Sequence, residues 1–521
     1  MQNIPNYYLQ IVAFFVGASV MILELIGTRI LSPYFGTSIN TLSLLIGFIL
    51  GSLSIGYWYG GLYADKGVHK KDLSLLLFYA GVFIAFIGIF HPLVIHMILG
   101  IPSLSLLGGT ILACMSIFII PNVFLGMINP FLAKLMLTTL KKTGTKMGNL
   151  SALSTIGSII GTLASSFILI PFFGISTILF MLGLLLIGLA LLLDRSKKLL
   201  YGIFICCILL TVFYFLPRFT LYLNKAGLVD IDTPYGKVLV YKQNNSTYLI
   251  TGAFGYESKD SGSSPQAYLP NFDLILSMLL NNPKKALVLG GGTFSLSNSL
   301  LYHYPALSVD SVEIDKVITK IASSYFGYKD NPRHSIMIED ARTYINKVPD
   351  GSYDLVINDT YKDIVPPHHL LTQEAVKNVF NTLSSSGIYV SNVASALEGK
   401  KGWLACASYK TISSVFPHVY VVPAEREVNK NTLQTLLIIA LKNAKKPLAT
   451  NKVKNIYDAE KFKSEKCPIL TDDYAPVEYN LLAITAGNST FHFSKWYLKT
   501  VLELTRNYFV LTAKKLLGHT P

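Results

Sequence analysis

The stretch Lys284-Lys-Ala-Leu-Val-Leu-Gly-Gly-Gly, residues 284–292, decides the fold of the C-terminal half. A short apolar run that ends in glycines is typical of a buried parallel strand and a tight turn into a helix. Helix-like sequence follows at 294–303, and the alternation continues along the chain. Further strands are predicted at 308–315, 335–340, 353–359 and 387–393, with helices at 316–326 and 373–384. This order predicts a doubly wound α/β sheet, whose ligands bind at the carboxyl ends of the strands.

Acidic residues stand at the carboxyl ends of the predicted strands. Glu313 follows the glycine turn by roughly 20 residues, the spacing at which an acid can accept hydrogen bonds from ribose hydroxyls. Asp340 and Asp359 end the next two strands. We therefore expect the glycine turn and these three acids to converge on one cleft, the alternative being that each acid is a solvated strand-end residue. Asp315 is better explained as the N-cap of the following helix.

The N-terminal half has a different composition. The chain is 51% hydrophobic and 14% charged, with a mean hydropathy of +0.46, and most of the charge deficit lies in residues 1–216. Apolar runs of about 18 residues or more can cross a bilayer core. Spans are predicted at about 7–32, 39–62, 73–99, 104–136, 148–170, 175–193 and 199–216. The fourth contains Pro121 and Pro130, so a broken or kinked helix, or a double crossing, is an alternative there.

Basic residues mark one side of the membrane. They follow the second, fourth and sixth spans, at 66–71, 141–146 and 195–198. The positive-inside rule places these loops and the N-terminus in the cytoplasm. Seven spans would then put the C-terminal domain outside. A domain that uses a cytosolic nucleotide donor favours the cytoplasm instead, and on these chemical grounds we expect it there.

Two charged residues stand inside the first span, where a charge in hydrocarbon is costly. Glu24 and Arg29 are therefore candidates for a polar lining of a substrate path. The alternative is that Arg29 reaches the end of the span and Glu24 is a buried structural hydrogen-bonding group. Glycines at 51, 56, 60 and 61, and the pair Gly157 and Gly161, predict close helix packing.

Composition disfavours several classes of protein. The formal net charge is +14, but much of the excess lies beside apolar runs without an aromatic-interleaved basic stripe. This favours membrane surfaces over nucleic acid. None of the five cysteines forms a C-x-x-C pair, so neither a zinc site nor a disulfide framework is suggested. His368 and His369 lack a third metal ligand, and we prefer His369 as a residue that contacts substrate or anchors its loop; no metal is expected.

The pattern divides the chain into four regions. A transmembrane helical domain covers 1–216, and a small antiparallel β-unit with a linker covers 217–265, with a loop over 258–265. The α/β domain follows at 266–480. A basic tail, 481–521, is predicted to form an amphipathic helix on the membrane surface or to pack against the preceding domain.

Residues 228–445 resemble the spermidine synthase family, in which a small β-domain precedes a Rossmann-like fold similar to class-I S-adenosylmethionine-dependent methyltransferases. Four motifs carry the resemblance: the stretch 284–292, Val312-Glu-Ile-Asp, Glu339-Asp-Ala-Arg and Tyr353-Asp-Leu-Val-Ile-Asn-Asp. The whole chain is similar to a bacterial and archaeal subfamily in which this domain is fused to a multi-span membrane region. The signatures of that subfamily stand at 364–374 and 470–478.

The resemblance implies a role for each matching residue. The co-substrate would be decarboxylated S-adenosylmethionine or S-adenosylmethionine. Gly290, Gly291 and Gly292 would hold its methionine-derived part. Glu313 would hold its ribose, and Asp340 and Ala341 would hold its adenine. Asp359 would be the catalytic base. The residues expected to face the substrate are Tyr268, Tyr361, Asp363 and His369.

The sequence also departs from the family pattern. An acid expected after the glycine turn is replaced by Thr293 and Phe294. A second catalytic-loop aspartate is replaced by Lys362, which would repel a cationic polyamine, although Asp363 follows it. The resemblance favours aminopropyl transfer from decarboxylated S-adenosylmethionine to a polyamine such as putrescine. The departures favour methyl transfer to a membrane-delivered acceptor, or a transporter with a nucleotide-sensing domain. The partners considered are the lipid bilayer, a small-molecule amine or another acceptor, and a second copy of the chain in a homodimer.

Overall fold

The computed structural model describes residues 6–36, 38–101, 104–136, 143–193, 228–243, 246–251, 256–260, 282–360, 366–423, 429–443 and 456–477. These residues fall into two compact units, one ending at Lys237 and the other beginning at Val238. Several predictions lie outside the described residues: the seventh span at 199–216, Tyr268, the loop with Tyr361, Lys362 and Asp363, and the tail at 481–521.

Six helices in the described part of the first unit are long and apolar enough to cross a membrane. They are Asn6–Phe35, Ile39–Asp65, Lys70–Leu99, Leu106–Met136, Thr143–Ala164 with its continuation through Ser165–Leu169 and Ile170–Phe172, and Ile175–Leu193. They correspond to the first six spans predicted from the sequence. The fourth helix is continuous through Pro121 and Pro130, so the prediction of a broken helix or a double crossing is wrong. Helices in a bilayer tolerate proline where neighbouring groups satisfy the freed backbone.

Glycines let these helices approach closely, but only at some of the predicted positions. A Cβ added at Gly161 would lie 2.7 Å from the carbonyl oxygen of Ala18 on the first helix. One added at Gly60 would lie 2.8 Å from the backbone of the fourth helix. A Cβ added at Gly51 or Gly61 would meet no atom within 4 Å in the described part of the chain, so the packing prediction is wrong for these two. They lie on the opposite face of the same helix, which the sequence run does not distinguish.

The first sheet is small. Four strands follow one another in the order β1 to β4: Leu228–Thr233, Gly236–Gln243, Ser246–Ile250 and Tyr256–Asp260. The pairs β2–β3 and β3–β4 are antiparallel, which confirms the predicted β-unit. The loop predicted from residue 258 is wrong in its first residues, because β4 continues to Asp260 and each of its residues pairs with one on β3.

The second sheet has seven strands. Chain order gives β5 Lys285–Leu289, β6 Ser308–Glu313, β7 His334–Ile338, β8 Tyr353–Asn358, β9 Leu383–Ser395, β10 His418–Pro423 and β11 Gln434–Leu441. Their spatial order is β10-β11-β9-β8-β5-β6-β7. The five strands predicted from the sequence are all present and pair in parallel. The antiparallel strands β10 and β11 were not predicted.

Helices cover this sheet. They span Ser295–His303, Lys316–Tyr325, Ala341–Ile345, Gln373–Thr382, Trp403–Ser413 and Lys461–Ser464. Strand residues on the two faces of the sheet belong to two different buried clusters, as in β5, where Leu287 and Leu289 face one cluster and Ala286 and Val288 the other. Burial on both faces explains the continuous apolar runs in the sequence. The strand order reverses between β5 and β8, the position at which open α/β sheets bind ligands.

One cysteine prediction is wrong. Cys406, in the helix Trp403–Ser413, forms a disulfide with Cys467, and their Cα atoms are 6.1 Å apart. The pair is separated by 61 residues, so no local spacing pattern reveals it. The fold brings the two together by packing the segment after the helix Lys461–Ser464 against the helix Trp403–Ser413.

Candidate active site

The glycine turn lies against the end of β8. Gly290 and Gly292 have positive φ angles of 91° and 50°, which glycine adopts without steric cost. The N–H of Gly290 donates to the carbonyl of Val312 at 2.9 Å. A Cβ added at Gly290 would lie 2.7 Å from the carbonyl carbon of Asp359. The absence of a side chain therefore lets the ends of β5 and β8 approach each other at the position where the strand order reverses.

Glu313 supports this turn with its carboxylate. One oxygen, Oε2, accepts hydrogen bonds from the N–H groups of Gly291 and Gly292 at 3.1 and 3.0 Å, and Oε1 accepts one from Asp315 at 2.9 Å. The side chain is buried, and burial raises the pKa of Glu313, while these backbone hydrogen bonds act to lower it. Asp315 is itself the N-cap of the next helix, with Oδ1 accepting from the N–H of Val317 at 2.9 Å, as predicted.

Asp359 is the first residue after β8. Its N–H donates to the carbonyl of Leu289 on β5 at 2.8 Å, so its backbone continues the sheet. Its Oδ1 accepts a hydrogen bond of 2.8 Å from the Nδ2 of Asn392 on β9. Asn392 thus fixes the orientation of the carboxylate. Sequence reasoning missed Asn392, although a polar residue near the carboxyl end of the fifth predicted strand was the available signal.

Asp340 and His369 lie beside each other. Oδ1 of Asp340 accepts from the N–H of Thr343 at 2.9 Å and caps the helix Ala341–Ile345. Its Oδ2 is 3.7 Å from Nε2 of His369. Burial lowers the pKa of His369, and the nearby Asp340 acts in the opposite direction. Ala341 is buried in the core beside Asp340. Among the residues that the structure describes, no group of three or more His, Cys, Asp or Glu could hold a metal ion.

A clamp that the sequence did not reveal holds this corner. Arg342 donates through Nη1 to the carbonyl of His369 at 2.7 Å and to Oγ1 of Thr372 at 3.1 Å. Its Nη2 donates to Oδ2 of Asp472 at 2.8 Å. Oδ1 of Asp472 accepts a hydrogen bond of 2.6 Å from Thr372, the N-cap of the helix Gln373–Thr382. The two subfamily signatures, at 364–374 and 470–478, are therefore joined by hydrogen bonds to the arginine of the Glu339-Asp-Ala-Arg motif.

Thr293 and Phe294, which replace the expected acid after the glycine turn, are both buried. Phe294 is fully buried, with φ of 61°, and its ring centroid is 4.9 Å from that of Tyr328 and 5.4 Å from that of His334. Thr293 is also buried, and its hydroxyl is 2.7 Å from that of Ser295. Phe294 is thus a packing residue beneath the turn.

The charged residues of the first membrane helix have different surroundings. Arg29 donates to the carbonyl oxygen of Thr233 at 2.9 Å and to that of Pro234. It reaches the polar backbone at the end of β1, which agrees with the structural alternative for this residue. Glu24 is partly buried one and a half turns before it on the same helix.

Comparisons with known proteins agree with this geometry. The sequence pattern of the spermine/spermidine synthase domain matches residues 274–433. A polyamine aminopropyltransferase of Vibrio vulnificus is 29% identical over 233 residues, which are 41% of this chain and 76% of that protein. A polyamine aminopropyltransferase of Alkaliphilus metalliredigens is 32% identical over 28% of this chain and 52% of its own length. A spermidine synthase of Solanum lycopersicum is 30% identical over 31% of this chain and 44% of its own length.

Solved structures give weaker likenesses. The spermidine synthase of Thermotoga maritima covers 51% of this chain and 84% of its own, at 18% identity and a TM-score of 0.32. A probable spermidine synthase of Corynebacterium glutamicum covers 41% and 80%, at 17% identity and a TM-score of 0.36. The family assignment therefore rests on the sequence match and on the named relatives. Residues 274–433 thus match the spermine/spermidine synthase domain and are similar to transferases of that family, and six helices long and apolar enough to cross a membrane precede them in the part of the chain that the structure describes.

Proposed function

We propose that the C-terminal domain transfers an aminopropyl group from decarboxylated S-adenosylmethionine to a polyamine such as putrescine. One observation carries the proposal: Asp359, oriented by Asn392, lies directly against the glycine turn that Glu313 supports. The base and the donor site are thus parts of one strand-end crevice. The names of the relatives, polyamine aminopropyltransferase and spermidine synthase, support the same reaction.

The reaction is an in-line displacement at carbon. The lone pair of the acceptor amine attacks the carbon bonded to the positively charged sulfur, and a C–N bond forms. The C–S bond breaks, and its electron pair stays on sulfur, which leaves as the neutral thioether methylthioadenosine. The amine loses one proton, which Asp359 accepts. A positioned carboxylate of this kind contributes both orientation and general-base catalysis.

The donor-binding residues are assigned in the same proposal. The backbone of Gly290, Gly291 and Gly292 would face the sulfonium side of the donor, on a turn that the positive φ angles of Gly290 and Gly292 make possible. The carboxylate of Glu313 would accept hydrogen bonds from the ribose hydroxyls. It is suited to this because three backbone N–H groups already fix its position, so little entropy is lost when a ligand binds.

Adenine and acceptor would occupy the neighbouring corner. We assign adenine to the end of β7, at Asp340 and the backbone of Ala341. His369 stands beside Asp340 and would contact the substrate there. Tyr268, Tyr361 and Asp363 complete the proposed acceptor site on the strength of the family resemblance.

Product analysis tests the proposal. Purified full-length protein in lipid nanodiscs is incubated with decarboxylated S-adenosylmethionine and putrescine, and the products are measured by mass spectrometry. Methylthioadenosine and an aminopropylated amine in equal amounts are the expected result. The matched control is Asp359→Asn, which keeps the size of the side chain and removes the base. Equal turnover by this variant would contradict the assignment of Asp359.

Methyl transfer is the second candidate function, and specific residues favour it. Lys362 stands where the family has a second aspartate, and a positive charge there disfavours a cationic polyamine. Phe294 is in the core where the family has a donor-contacting acid. In this case S-adenosylmethionine would be the donor, S-adenosylhomocysteine the product, and a membrane-delivered molecule the acceptor.

We also propose that the six helices anchor the domain in a cell membrane, with the domain boundaries predicted from the sequence. Their length and composition support this, since each carries an apolar stretch long enough for a bilayer core. A homodimer is part of the same proposal on family grounds. The cytosolic origin of nucleotide donors favours a cytoplasmic domain, whereas the loop charges favour the other side.

A further inference from the structure

We infer that the C-terminal domain lies on the non-cytoplasmic side of the membrane, so that its site takes up donor and acceptor from that side. This inference goes beyond the proposed function and does not depend on which group is transferred. It reverses the chemical expectation of a cytoplasmic domain. Four observations carry it: the charges at the two ends of the helix bundle, the position of β1, the sequence between the sixth helix and β1, and the disulfide.

Contacts between helix ends identify one end of the bundle. Nζ of Lys134, near the end of the fourth helix, is 3.1 Å from Asp65, at the end of the second. The hydroxyl of Ser74, near the start of the third helix, donates to the carbonyl of Ala190, near the end of the sixth, at 2.8 Å. The first helix begins at this end too, since Tyr8 donates to the carbonyl of Leu189.

The three basic stretches, 66–71, 141–146 and 195–198, all belong to this end, because they follow the second, fourth and sixth helices. The segments that join the helices at the opposite end, 36–38, 100–105 and 173–174, carry no Lys, Arg, Asp or Glu. By the positive-inside rule the basic end is cytoplasmic. The opposite end, named the uncharged end for its connecting segments, is therefore non-cytoplasmic.

The first strand after the helices lies at the uncharged end. Arg29 is in the last two turns of the first helix and donates to the carbonyls of Thr233 and Pro234, at the end of β1. A Cβ added at Gly174, between the fifth and sixth helices, would lie 3.0 Å from the Oδ2 of Asp232. Two separate connections thus place the end of β1 at the end of the bundle whose connecting segments carry no charged residues.

The sequence between the sixth helix and β1 allows a change of side. The sixth helix ends at Leu193, at the basic end, whereas β1 ends at the other. The sequence at 199–216 is apolar over about 18 residues, close to the length that one crossing requires. Between Pro234 and Val477 the sequence has no comparable apolar run, so it predicts no further crossing there.

The disulfide is an independent indication. Cys406 and Cys467 are bonded inside the α/β domain. Disulfides persist in secreted and periplasmic proteins and are rare in the reducing cytosol. This argument uses neither the loop charges nor the helix contacts, yet it gives the same side.

The inference constrains the supply of substrate. A sulfonium donor is charged and does not cross a bilayer core unaided. If the proposed aminopropyl transfer is correct, a transport step must therefore deliver the donor to the non-cytoplasmic side before the reaction.

Cysteine labelling in intact cells tests the inference on the full chain. Tyr302→Cys reports on the α/β domain, where Tyr302 is exposed on the helix Ser295–His303. His69→Cys reports on the basic end, where its side chain is 80% exposed. A membrane-impermeant maleimide should label Tyr302→Cys in intact cells and His69→Cys only after permeabilisation. The reverse pattern would overturn the inference.

A second measurement needs no substitution. Cells that express the unaltered chain are treated with a permeant alkylating reagent, and peptides with Cys406 and Cys467 are identified by mass spectrometry. We expect them to be linked and to resist alkylation until a reductant is added. Two free, alkylated thiols in the folded protein would contradict the inference. Neither experiment measures turnover, so the inference can fail while the proposed function stands, and the reverse also holds.

Discussion

Replacement of Glu313 by glutamine tests how the glycine turn binds the donor. The carboxylate accepts three backbone hydrogen bonds, two on Oε2 and one on Oε1. The amide of glutamine keeps one oxygen, which can still face Gly291 and Gly292. Its NH2 group would then face the N–H of Asp315, so that two donors oppose each other and one hydrogen bond is lost.

The magnitude for donor binding follows from the hydrogen bonds that the ribose hydroxyls would donate to the carboxylate, because the lost bond to Asp315 weakens the free and the donor-bound protein alike. A hydrogen bond to a charged group contributes about 1.5–3 kcal/mol. The ribose hydroxyls would also donate to a neutral amide oxygen in place of a carboxylate. Because about 1.4 kcal/mol corresponds to a tenfold change in Kd, we expect the donor to bind roughly 10–100-fold more weakly to Glu313→Gln.

Isothermal titration of the purified protein in nanodiscs with decarboxylated S-adenosylmethionine measures this change. The matched control is Glu460→Gln, since Glu460 is exposed and paired with Lys463. We expect the control to bind the donor like the unaltered protein. A Kd for Glu313→Gln within twofold of the unaltered value, in folded protein, would refute the assignment of Glu313 to the ribose.

Three further predictions concern the base, the clamp and the core. Asp359→Asn should reduce kcat roughly 10²–10⁴-fold, the usual contribution of general-base catalysis, and leave donor affinity within about twofold. Asp472→Ala removes the ion pair with Arg342 and should raise KM about fivefold with little change in kcat, because that half-exposed pair contributes about 1 kcal/mol. Burial lowers the pKa of His334 to about 4, so the stability that its neutral ring provides should be lost as pH falls from about 6.5 to about 4, by at most about 3 kcal/mol.

Each of these predictions has its own control. Steady-state kinetics and titration separate kcat from affinity for Asp359→Asn, and weaker donor binding in proportion to the lost turnover would give Asp359 a binding role. Asp472→Glu should restore much of the KM lost in Asp472→Ala, and no difference between them would leave the ion pair without a role in the site. Urea unfolding at pH 4.5 and 7, monitored by proteolysis, should show a smaller pH dependence in His334→Gln than in the unaltered protein, and an unchanged one in His303→Gln.

The sign of the pH effect follows from the folded state. Nε2 of His334 is 2.7 Å from the hydroxyl of Ser311, and Nδ1 is 3.0 Å from the hydroxyl of Tyr328, both buried. Protonation is disfavoured there, so between about pH 6.5 and pH 4 the unfolded chain binds a proton that the folded chain does not. Below about pH 4 both states are protonated, and no further stability is lost through His334.

Local patterns in the sequence were sufficient to predict the parallel strands of the sheet and the acidic residues at their carboxyl ends. The runs before Gly290 and Asp359 are apolar because β5 and β8 are covered on both faces, whereas β6, which ends at Glu313, contains buried polar residues. Their parallel pairing brings the three ends to one edge, as predicted. The same reasoning found the first six spans, because a bilayer core sets a minimum length of apolar sequence.

Contacts between distant residues were not predictable in this way. Arg342 and Asp472 are separated by 130 residues, and Cys406 and Cys467 by 61, so no periodicity or spacing links either pair. Asn392 is one of several polar residues on β9, and only the register of that strand against β8 shows that it is close to Asp359. These interactions depend on tertiary structure, which a single sequence does not encode in any local pattern.

The products of the reaction test the central claim most directly. The full-length protein in nanodiscs is given decarboxylated S-adenosylmethionine with putrescine and, separately, S-adenosylmethionine with a lipid extract. Aminopropyl transfer predicts methylthioadenosine and an aminopropylated amine from the first mixture. S-adenosylhomocysteine from the second mixture alone, or donor binding without any product, would contradict it.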